Sequence, residues 1–282
     1  MTSPICTAQA LAAVASHRCR VAEHRPVNSR YRYLRLESTA DLAGMTRSGQ
    51  FYQLRCPATS EFQPFLLRPM SVYGVGPDSG CIEFLYNVTG VGTAALATLG
   101  VGSSMDIVGP LGNTFTFLPS FKRVLVVARG VGLATMAPLV RDAGKVGVAV
   151  TALMSARSPA DLIQAEFLRG VAAEVHSVFD SDGSSAVEHV ETLLRRLIVA
   201  QSPDIVYTCG SHRLLMLLQR VLADYPQVRG EVAMEQRMAC GMGVCLSCVR
   251  LFDTPTGKHF KRVCREGPVF PIQEVVGEVE FG

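Results

Sequence analysis

The sequence lacks a basic stripe, an internal repeat and a hydrophobic run long enough to span a bilayer. Its one signal-peptide candidate, the alanine-rich run from Ala8 to Ala15, has no basic segment before it and is too short to cross a membrane. We therefore expect a short surface helix there. The net charge is +3 with dispersed positive residues, which argues against nucleic-acid binding. These absences favour a cytoplasmic protein that contacts neither membrane nor nucleic acid.

The composition is that of a globular protein with more than one domain. A chain of 282 residues with 48% hydrophobic residues is long enough for two domains and a small appendage. The cysteine count of nine is odd, and nothing marks the chain as secreted. We therefore expect free thiols in a reducing compartment rather than disulfides.

Four cysteines in the last part of the chain carry the strongest signal. Cys240, Cys245 and Cys248 are spaced C-x4-C-x2-C, and Cys264 follows after fifteen further residues. This is the plant-type [2Fe–2S] ligand pattern, in which three ligands lie on one tight loop and a fourth comes from elsewhere. The spacing therefore predicts an iron–sulfur cluster and a role in electron transfer.

The residues between these cysteines suit a cluster loop. Gly241 and Gly243 stand where the backbone must curl with φ > 0 and turn its N–H groups toward sulfur. Zinc is the main alternative, but structural zinc sites usually show two C-x2-C pairs or a Cys/His mixture, and only Cys245 and Cys248 form such a pair. The nonligand positions are apolar, which limits water access to a cluster; they are Met238, Met242, Val244 and Leu246.

The first part of the chain, from about Arg18 to Leu118, alternates short apolar runs with Gly, Pro, Asn and Asp. Short strands at such spacing predict a β-barrel or sandwich, with a helix inserted at Ala94–Leu99. The predicted strands include residues 31–36, 50–55, 81–86 and 105–108.

The pattern changes after residue 120 to that of an α/β domain. The buried-strand run 123–128 precedes Gly130 and Gly132, a helix through Val140 and a strand at 146–153. Strand, glycine turn, helix and strand is the βαβ signature of a nucleotide-binding sheet. The following elements are predicted at 174–179 (strand), 186–200 (helix), 204–208 (strand) and 214–223 (helix).

The glycine turn alone does not identify a phosphate site. Gly130 and Gly132 could present helix N-terminal amides to a pyrophosphate, but Ala134 and Thr135 break the strict Gly-x-Gly-x-x-Gly pattern. Such a loop is also an ordinary strand-to-helix turn. Likewise, Arg68 taken alone would be a surface ion-pair residue and Cys209 a buried thiol.

Three runs in the predicted β-barrel favour a binding role over an ordinary structural one. They are Leu67-Arg-Pro-Met-Ser-Val72, the strand segment Leu85-Tyr-Asn87, and Gly90-Val-Gly-Thr93. Together they resemble the flavin-binding motifs of the ferredoxin-reductase-like proteins, in particular the electron-transfer subunit of two-subunit dihydroorotate dehydrogenases. Arginine offers paired donors to a pyrophosphate, and a helix start offers N–H groups. The resemblance implies that FAD is held by Arg68, Pro69, Met70, Ser71, Leu85, Tyr86, Asn87, Gly92 and Thr93.

The same resemblance extends to the nucleotide and cluster segments. Cys209-Gly210 is similar to the pair that closes the nicotinamide pocket in these reductases, which gives Cys209 the catalytic position and adds Gly210 to Gly130 and Gly132 as cofactor-binding residues. The segments 235–245 and 262–270 look like the family's cluster segment. Arg129 stands where the family usually has glycine, and Ser211 where a proline commonly follows.

The identity of the pyridine nucleotide rests on weaker signals. Ser155-Ala-Arg157-Ser158 follows the second strand of the α/β domain, where ribose selectivity usually lies, and an arginine there could grip the 2′-phosphate of NADP. The family resemblance implies NADH instead. We therefore expect NAD(P)H to be the nucleotide and favour NADH.

The resulting expectation is a ferredoxin-reductase-like chain in three parts behind an N-terminal extension. The predicted divisions are 1–17 (extension), 18–118 (FAD-binding β-barrel), 119–228 (Rossmann-like NAD(P)-binding domain) and 229–282 ([2Fe–2S] domain). The resemblance implies a hetero-oligomer in which an FMN-containing catalytic subunit of dihydroorotate-dehydrogenase type oxidises the substrate. A reductase for another flavin dehydrogenase, a ferredoxin or an oxygenase is the alternative, and a zinc-stabilised interaction module is a non-enzymatic one.

Overall fold

The computed structural model describes residues 14–76, 78–163 and 165–277. Within these ranges no helix has both the length and the apolar character needed to cross a membrane. Residues 8–13 of the predicted N-terminal surface helix lie outside the described residues, and Ala15 already belongs to a strand.

The first part of the chain is a curled antiparallel sheet of seven strands, called the barrel below. Its strand order is β4-β3-β7-β1-β2-β6-β5, so that β4 and β5, which follow each other in the chain, are the two edges. Alternate residues point inward, as a half-buried strand requires. The elements are β1 (Ala15–Pro26), β2 (Tyr31–Glu37), α1 (Ala40–Met45), β3 (Phe51–Leu54), β4 (Arg68–Ser71), β5 (Gly74–Gly76), β6 (Cys81–Asn87), α2 (Val91–Leu96) and β7 (Ser104–Leu111).

The second part is a parallel sheet with helices on both faces. Its strand order is β10-β9-β8-β11-β12-β15, and only β15 runs antiparallel to its neighbour. The central strand β8 buries five consecutive residues because both of its faces are covered. The elements are β8 (Arg123–Arg129), α3 (Gly132–Lys145), β9 (Ala149–Ala156), α4 (Ala165–Val171), β10 (Glu174–Phe179), α5 (Val187–Gln201), β11 (Ile205–Cys209), α6 (His212–Ala223), β12 (Arg229–Ala233) and β15 (Val269–Pro271).

The cysteine-bearing segment leaves the parallel sheet after β12 and returns to it as β15. Between the two strands lie the cysteine loop, the hairpin β13 (Val249–Thr254) and β14 (Gly257–Arg262), and the short helix α7 (Val263–Glu266). A 3₁₀ turn at Ile272–Glu274 follows β15.

Asn113, between the barrel and the parallel sheet, holds this cysteine-bearing segment in place. Its side-chain Nδ2 donates to the carbonyls of Glu266 (3.1 Å) and Val269 (2.9 Å), and its Oδ1 accepts from the N–H of Val269 (2.9 Å). Its own N–H donates to the carbonyl of Gly267 at 2.7 Å. One side chain thus ties the first part of the chain to the last.

The predicted elements agree with the structure in kind, with shifts at the ends. The helix expected at Ala94–Leu99 is α2, which starts at Val91 because the Thr93 hydroxyl accepts from the N–H groups of Thr89 and Gly90. The strand expected at 146–153 is β9, which begins three residues later, after a turn with Gly147 in the left-handed region.

The three-part division stays a prediction, and the elements of the structure lie across two of its boundaries. β1 begins at Ala15, inside the segment 1–17 assigned to an extension. The division between 228 and 229 falls directly before β12, which pairs with β11 in the parallel sheet. The cysteine-bearing segment therefore shares a sheet with the preceding domain because β12 and β15 are both part of it.

Candidate electron-transfer site

The cysteine loop is shaped by backbone in the left-handed region. Gly241 has φ +71° and Gly243 has φ +86°, as the sequence predicts. These turns direct three N–H groups at the sulfur of Cys240: those of Met242 (3.4 Å), Val244 (3.4 Å) and Cys245 (3.5 Å). A sulfur that accepts three N–H groups is prepared to carry negative charge.

The four cysteines form two pairs. Cys245 lies within hydrogen-bonding reach of Cys240, and Cys264 donates its N–H to the sulfur of Cys248 at 3.4 Å. The first pair is partly or fully exposed, whereas Cys248 and Cys264 are each 2% exposed. Two pairs of thiols are what a [2Fe–2S] cluster requires, because four cysteines serve two irons. Among the described residues, no three His, Cys, Asp or Glu side chains are placed to hold a single metal ion.

The loop favours the thiolate form of the exposed pair. Hydrogen bonds from the hydroxyl and N–H of Ser247 lower the pKa of Cys245 to about 6. Burial works against the thiolate of Cys240, but the N–H groups of Cys245, Met242 and Val244 lower its pKa nevertheless. Burial, with Cys248 close by, raises the pKa of Cys264 to about 12. Thiolates are the form that binds metal, so the lowered pKa values of Cys240 and Cys245 suit iron, whereas the buried Cys264 thiol has to lose its proton when metal binds. Four cysteines in two pairs fit a [2Fe–2S] cluster.

The predicted flavin residues lie on two neighbouring pieces of the barrel. Arg68 begins β4, and its guanidinium lies directly against the backbone of Gly92 at the start of α2. A Cβ at Gly92 would overlap Nε of Arg68, so only glycine permits this approach. The arginine side chain donates to the carbonyls of Leu66 (2.5 Å) and Leu67 (3.3 Å). The donors of Arg68 therefore lie beside the start of α2, and the role of these residues in holding FAD stays a prediction.

The strand segment Leu85–Asn87 ends β6 beside β2, and its side chains divide between two environments. The hydroxyl of Tyr86 hydrogen-bonds Nε2 of His24 at 2.8 Å, inside the barrel. Leu85 packs instead in the core shared with the parallel sheet. Pro69, Met70 and Ser71 lie instead on the edge strand β4, which pairs with β3.

A cleft of about 960 Å³ joins the flavin motif to the cysteine segment. One wall is the run from Phe65 to Pro69, and the other is the run from Glu235 to Met238 together with Arg250. The volume is at the upper end of the range of small-molecule sites. Phe65 is 95% exposed at the rim of this cleft.

The nucleotide candidates meet at the carboxyl edge of the parallel sheet. Gly132 starts α3 so close to β11 that a Cβ would overlap the carbonyl of Cys209, which makes this a close helix-to-strand approach. Gly130 and Gly210 lie at the ends of the neighbouring strands β8 and β11. Open α/β sheets bind ligands outside the carboxyl ends of their strands.

Cys209 is buried at that edge and is paired with a residue that the sequence analysis assigned no role. Its thiol lies 3.9 Å from Oε1 of Glu235, at the start of the cysteine segment. Burial raises the pKa of Cys209 well above its ordinary value, and burial also raises the pKa of Glu235. The thiol donates a hydrogen bond to Glu235, and the catalytic position of Cys209 stays a prediction.

Arg129 and Asp180 form an ion pair at the same edge that the sequence analysis also missed. The guanidinium of Arg129 donates to Asp180 Oδ2 and to the hydroxyl of Ser155, each at 2.6 Å. Hydrogen bonds from Arg129 and Ser185 hold the pKa of Asp180 below its usual range. Asp180 directly follows the predicted strand 174–179, so the strand-end rule was available to find it. Arg157, which the sequence analysis named for ribose selectivity, is exposed.

Ser211, the second departure from the family pattern, has a structural role. It is the N-cap of α6, and its hydroxyl accepts from the N–H of Leu214 at 3.4 Å. Serine is among the preferred residues at this position.

Comparison with known proteins agrees with this architecture. Residues 235–276 match the family model of the iron–sulfur cluster binding domain of dihydroorotate dehydrogenase B. The chain aligns over 92% of its length with 90% of a solved NADH-dependent reduced ferredoxin-NADP oxidoreductase, at 23% identity and a TM-score of 0.76. The fold and the cysteine segment together define a ferredoxin-reductase-like protein with a C-terminal iron–sulfur domain, as predicted.

Curated relatives give the family. The electron transfer subunit of dihydroorotate dehydrogenase B (NAD(+)) of Desulforamulus reducens is 33% identical, with 84% of this chain and 90% of the relative covered. The corresponding subunit of Enterococcus faecalis is 32% identical, with 82% and 88% covered. The chain belongs to the family of dihydroorotate dehydrogenase B electron transfer subunits.

Proposed function

We propose that the chain passes electrons between NADH and a partner catalytic subunit, through FAD and a [2Fe–2S] cluster. The observation that carries this proposal is the cleft that places the flavin motif around Arg68 opposite the cysteine segment at Glu235–Met238. A bound flavin accepts two electrons as hydride and releases them singly, which is the conversion that a one-electron cluster needs. The protein supplies the binding sites and their relative positions.

The barrel residues account for binding and orientation of FAD. Arg68 offers a planar set of donors suited to a pyrophosphate, and its own carbonyl partners fix the side chain over Gly92. The α2 N-terminus with Thr93 adds backbone donors beside it. Pro69 to Ser71 and Leu85 to Asn87 are the proposed walls of the flavin site.

The carboxyl edge of the parallel sheet accounts for the nicotinamide nucleotide. Gly132 packs against the Cys209 carbonyl and Gly210 against Arg129, which brings the strand ends and the start of α3 close together, and Cys209 with Glu235 closes the edge toward the flavin cleft. An acidic residue at this edge suits the free 2′-hydroxyl of a ribose. Asp180 is the proposed acceptor for that hydroxyl, and its negative charge favours NADH over NADPH.

The proposed docking surface for the partner subunit is the exposed cysteine loop. Met242 (44%), Val244 (80%) and Leu246 (59%) present apolar side chains to solvent around the exposed thiol of Cys245. Apolar surface around the accessible end of an electron carrier suits protein docking. We place the FMN-containing catalytic subunit there, which gives a hetero-oligomer that serves pyrimidine biosynthesis.

We place this protein in the cytoplasm. The described cysteines are all free thiols, although Cys19, Cys56 and Cys81 are buried within one small barrel. Free thiols fit a reducing compartment.

An anaerobic titration tests the function. Purified protein is titrated with NADH or NADPH while the visible spectrum and the low-temperature EPR signal are recorded. Bleaching of a flavin together with a reduced [2Fe–2S] signal is expected with NADH. A preparation that contains flavin but no cluster signal after iron and sulfide reconstitution would contradict the proposal. Addition of an FMN-containing catalytic subunit should then give NAD(+)-linked oxidation of dihydroorotate.

A further inference from the structure

Strand β3 faces two different cores with alternate residues. Tyr52 and Leu54 pack inside the barrel, whereas Phe51 packs in the core that includes Cys248 and Cys264. Residues two apart in a strand share a face. Gln53 therefore faces the cysteine segment together with Phe51, and it is 0% exposed.

The carboxamide of Gln53 is left without a partner. Both Nε2 and Oε1 are buried, and neither makes a hydrogen bond to any described residue. Gln50, which precedes the same strand and is also buried, is fully used: its Oε1 accepts from the N–H of Arg47 and its Nε2 donates to the carbonyl of Gly112. Because a buried unpaired amide is costly and rare, Gln53 requires a partner from outside the described chain.

The same side chain touches the cysteine loop. A Cβ at Gly241 would overlap Nε2 of Gln53 and would lie 2.7 Å from its Cγ, so the loop backbone rests on the carboxamide. Gly241 directly follows Cys240, the cysteine whose sulfur accepts three loop N–H groups. The backbone of Gln53 pairs with Pro69 of the flavin motif. One residue therefore reaches from the flavin motif to the cysteine loop.

The position of Gln53 also indicates which group accepts a hydrogen bond from its side-chain amide. The side chain does not line the cleft between Arg68 and Glu235, where a flavin would lie. The only proposed cofactor on its own face is the [2Fe–2S] cluster. Cluster sulfurs are hydrogen-bond acceptors, and hydrogen bonds to them are one of the terms that set the reduction potential.

We propose that the side-chain N–H of Gln53 donates to a sulfur atom of the bound cluster. This inference rests on the proposed function, since it needs the cluster. A donated N–H stabilises the more negative, reduced state and so raises the potential. Gln53 would make the cluster a better acceptor of electrons arriving from the flavin side.

Two variants without a donor test this role in the cluster-loaded protein. Gln53→Met keeps the length of the side chain and Gln53→Leu keeps most of its bulk, so at least one conservative replacement is available. The cluster and flavin potentials are measured in one anaerobic redox titration, followed by EPR and visible absorbance. The equilibrium constant for cluster reduction is expected to fall about tenfold, which is 59 mV for a one-electron couple. The cluster EPR signal should shift while the flavin potential stays unchanged.

Tyr52→Phe is the matched control. It removes a buried hydroxyl from the same strand, where Tyr52 hydrogen-bonds Thr46 at 2.7 Å on the barrel side. It is expected to lower thermal stability without moving the cluster potential. An unchanged cluster potential and EPR signal in both folded Gln53 variants would overturn the inference, as would a shift of the flavin potential alone. Wild-type protein that binds no cluster would instead refute the proposed function.

Discussion

The guanidinium of Arg68 lies against the backbone of Gly92, in space that any Cβ at position 92 would take. The two residues come from separate runs of the sequence, one opening β4 and the other opening α2. Their contact places the fixed donors of an arginine beside the N–H groups of a helix start. The proposed FAD site depends on this pair.

Gly92→Ala is expected to displace Arg68 and to weaken FAD retention about tenfold or more, since one charge-assisted hydrogen bond contributes roughly 1.5–3 kcal/mol. Gly90→Ala is the control, because Gly90 has an extended backbone and nothing within 4 Å of an added Cβ. Flavin content after dialysis measures both. Equal flavin loss in the two variants would show that the Arg68–Gly92 contact does not matter.

Cys245→Ser is expected to abolish the cluster and to leave reduction of the flavin by NADH largely intact. The reason is that Cys245 belongs to the exposed thiol pair and is not one of the residues proposed to hold FAD or the nucleotide. Cys81→Ser serves as the control, because Cys81 lies on β6 in the barrel. Iron content, EPR and stopped-flow flavin bleaching are the measurements. Unimpaired electron transfer to the catalytic subunit in Cys245→Ser would contradict the relay.

Asp180→Ser should change the choice of nucleotide. Loss of the carboxylate removes the repulsion of a 2′-phosphate and releases Arg129, now bound to Asp180 at 2.6 Å. We expect the ratio of kcat/KM for NADH over that for NADPH to fall about tenfold, or about 1.4 kcal/mol. Asp182→Ser, two residues later and hydrogen-bonded only locally to Ser184, should leave the ratio unchanged. An unaltered ratio in Asp180→Ser would remove Asp180 from nucleotide selection.

Asn113→Ala should loosen the cysteine-bearing segment from the rest of the protein. The change removes three side-chain hydrogen bonds to Glu266 and Val269, and leaves their backbone groups without these partners. The expected loss is about 1–3 kcal/mol in the free energy of unfolding, with faster loss of cluster absorbance in urea. Asn113→Asp keeps the acceptor for the Val269 N–H but sets a carboxylate oxygen against the carbonyls of Glu266 and Val269, so it should be no more stable than Asn113→Ala. Wild-type stability in Asn113→Ala would mean that the segment is held by its strands alone.

His24 gives the protein a pH dependence of stability. Its Nδ1 hydrogen-bonds the carbonyl of Leu99 at 2.8 Å and its Nε2 faces Tyr86 and Arg32. Burial lowers the pKa of His24, and nearby Arg32 lowers it further, although the Leu99 carbonyl opposes both. The unfolded chain therefore binds the proton more readily. The contribution of His24 is complete above its unfolded pKa of about 6.5 and is lost as the pH falls below that value.

Urea denaturation between about pH 5 and pH 8 measures this effect. His24→Gln should show a smaller decrease in the free energy of unfolding on acidification than the wild type. His259→Gln, on the exposed β14, should keep the wild-type dependence. The same pH dependence in His24→Gln as in the wild type would exclude His24 as the titrating group.

Elements marked at both ends were predictable from the sequence, as β10 illustrates: the strand predicted at 174–179 is Glu174–Phe179. The strand predicted for its neighbour β9 began three residues too early, because the apolar pattern does not show where the turn at Gly147 ends. The cysteine spacing indicated the four proposed ligands, since three of them share one local loop and the fourth follows the hairpin of β13 and β14. It did not reveal that they form an exposed and a buried pair.

Roles that depend on contacts between distant segments were out of reach. Glu235 gains its position from Cys209, and Gln53 from Gly241, and neither pairing leaves a pattern in the sequence. Asp180 is different, because its place at the end of a predicted strand could be read from the sequence. Only its ion pair with Arg129 could not.

The excursion that carries the four cysteines departs from β12 and comes back as β15, and these two strands are direct neighbours in the parallel sheet. Ala233 is paired with Val269, so a short turn in place of the excursion would leave an ordinary hairpin and an unchanged strand order. The cysteine-bearing segment is thus an insertion between two neighbouring strands, and the order of the nucleotide-binding sheet does not depend on it.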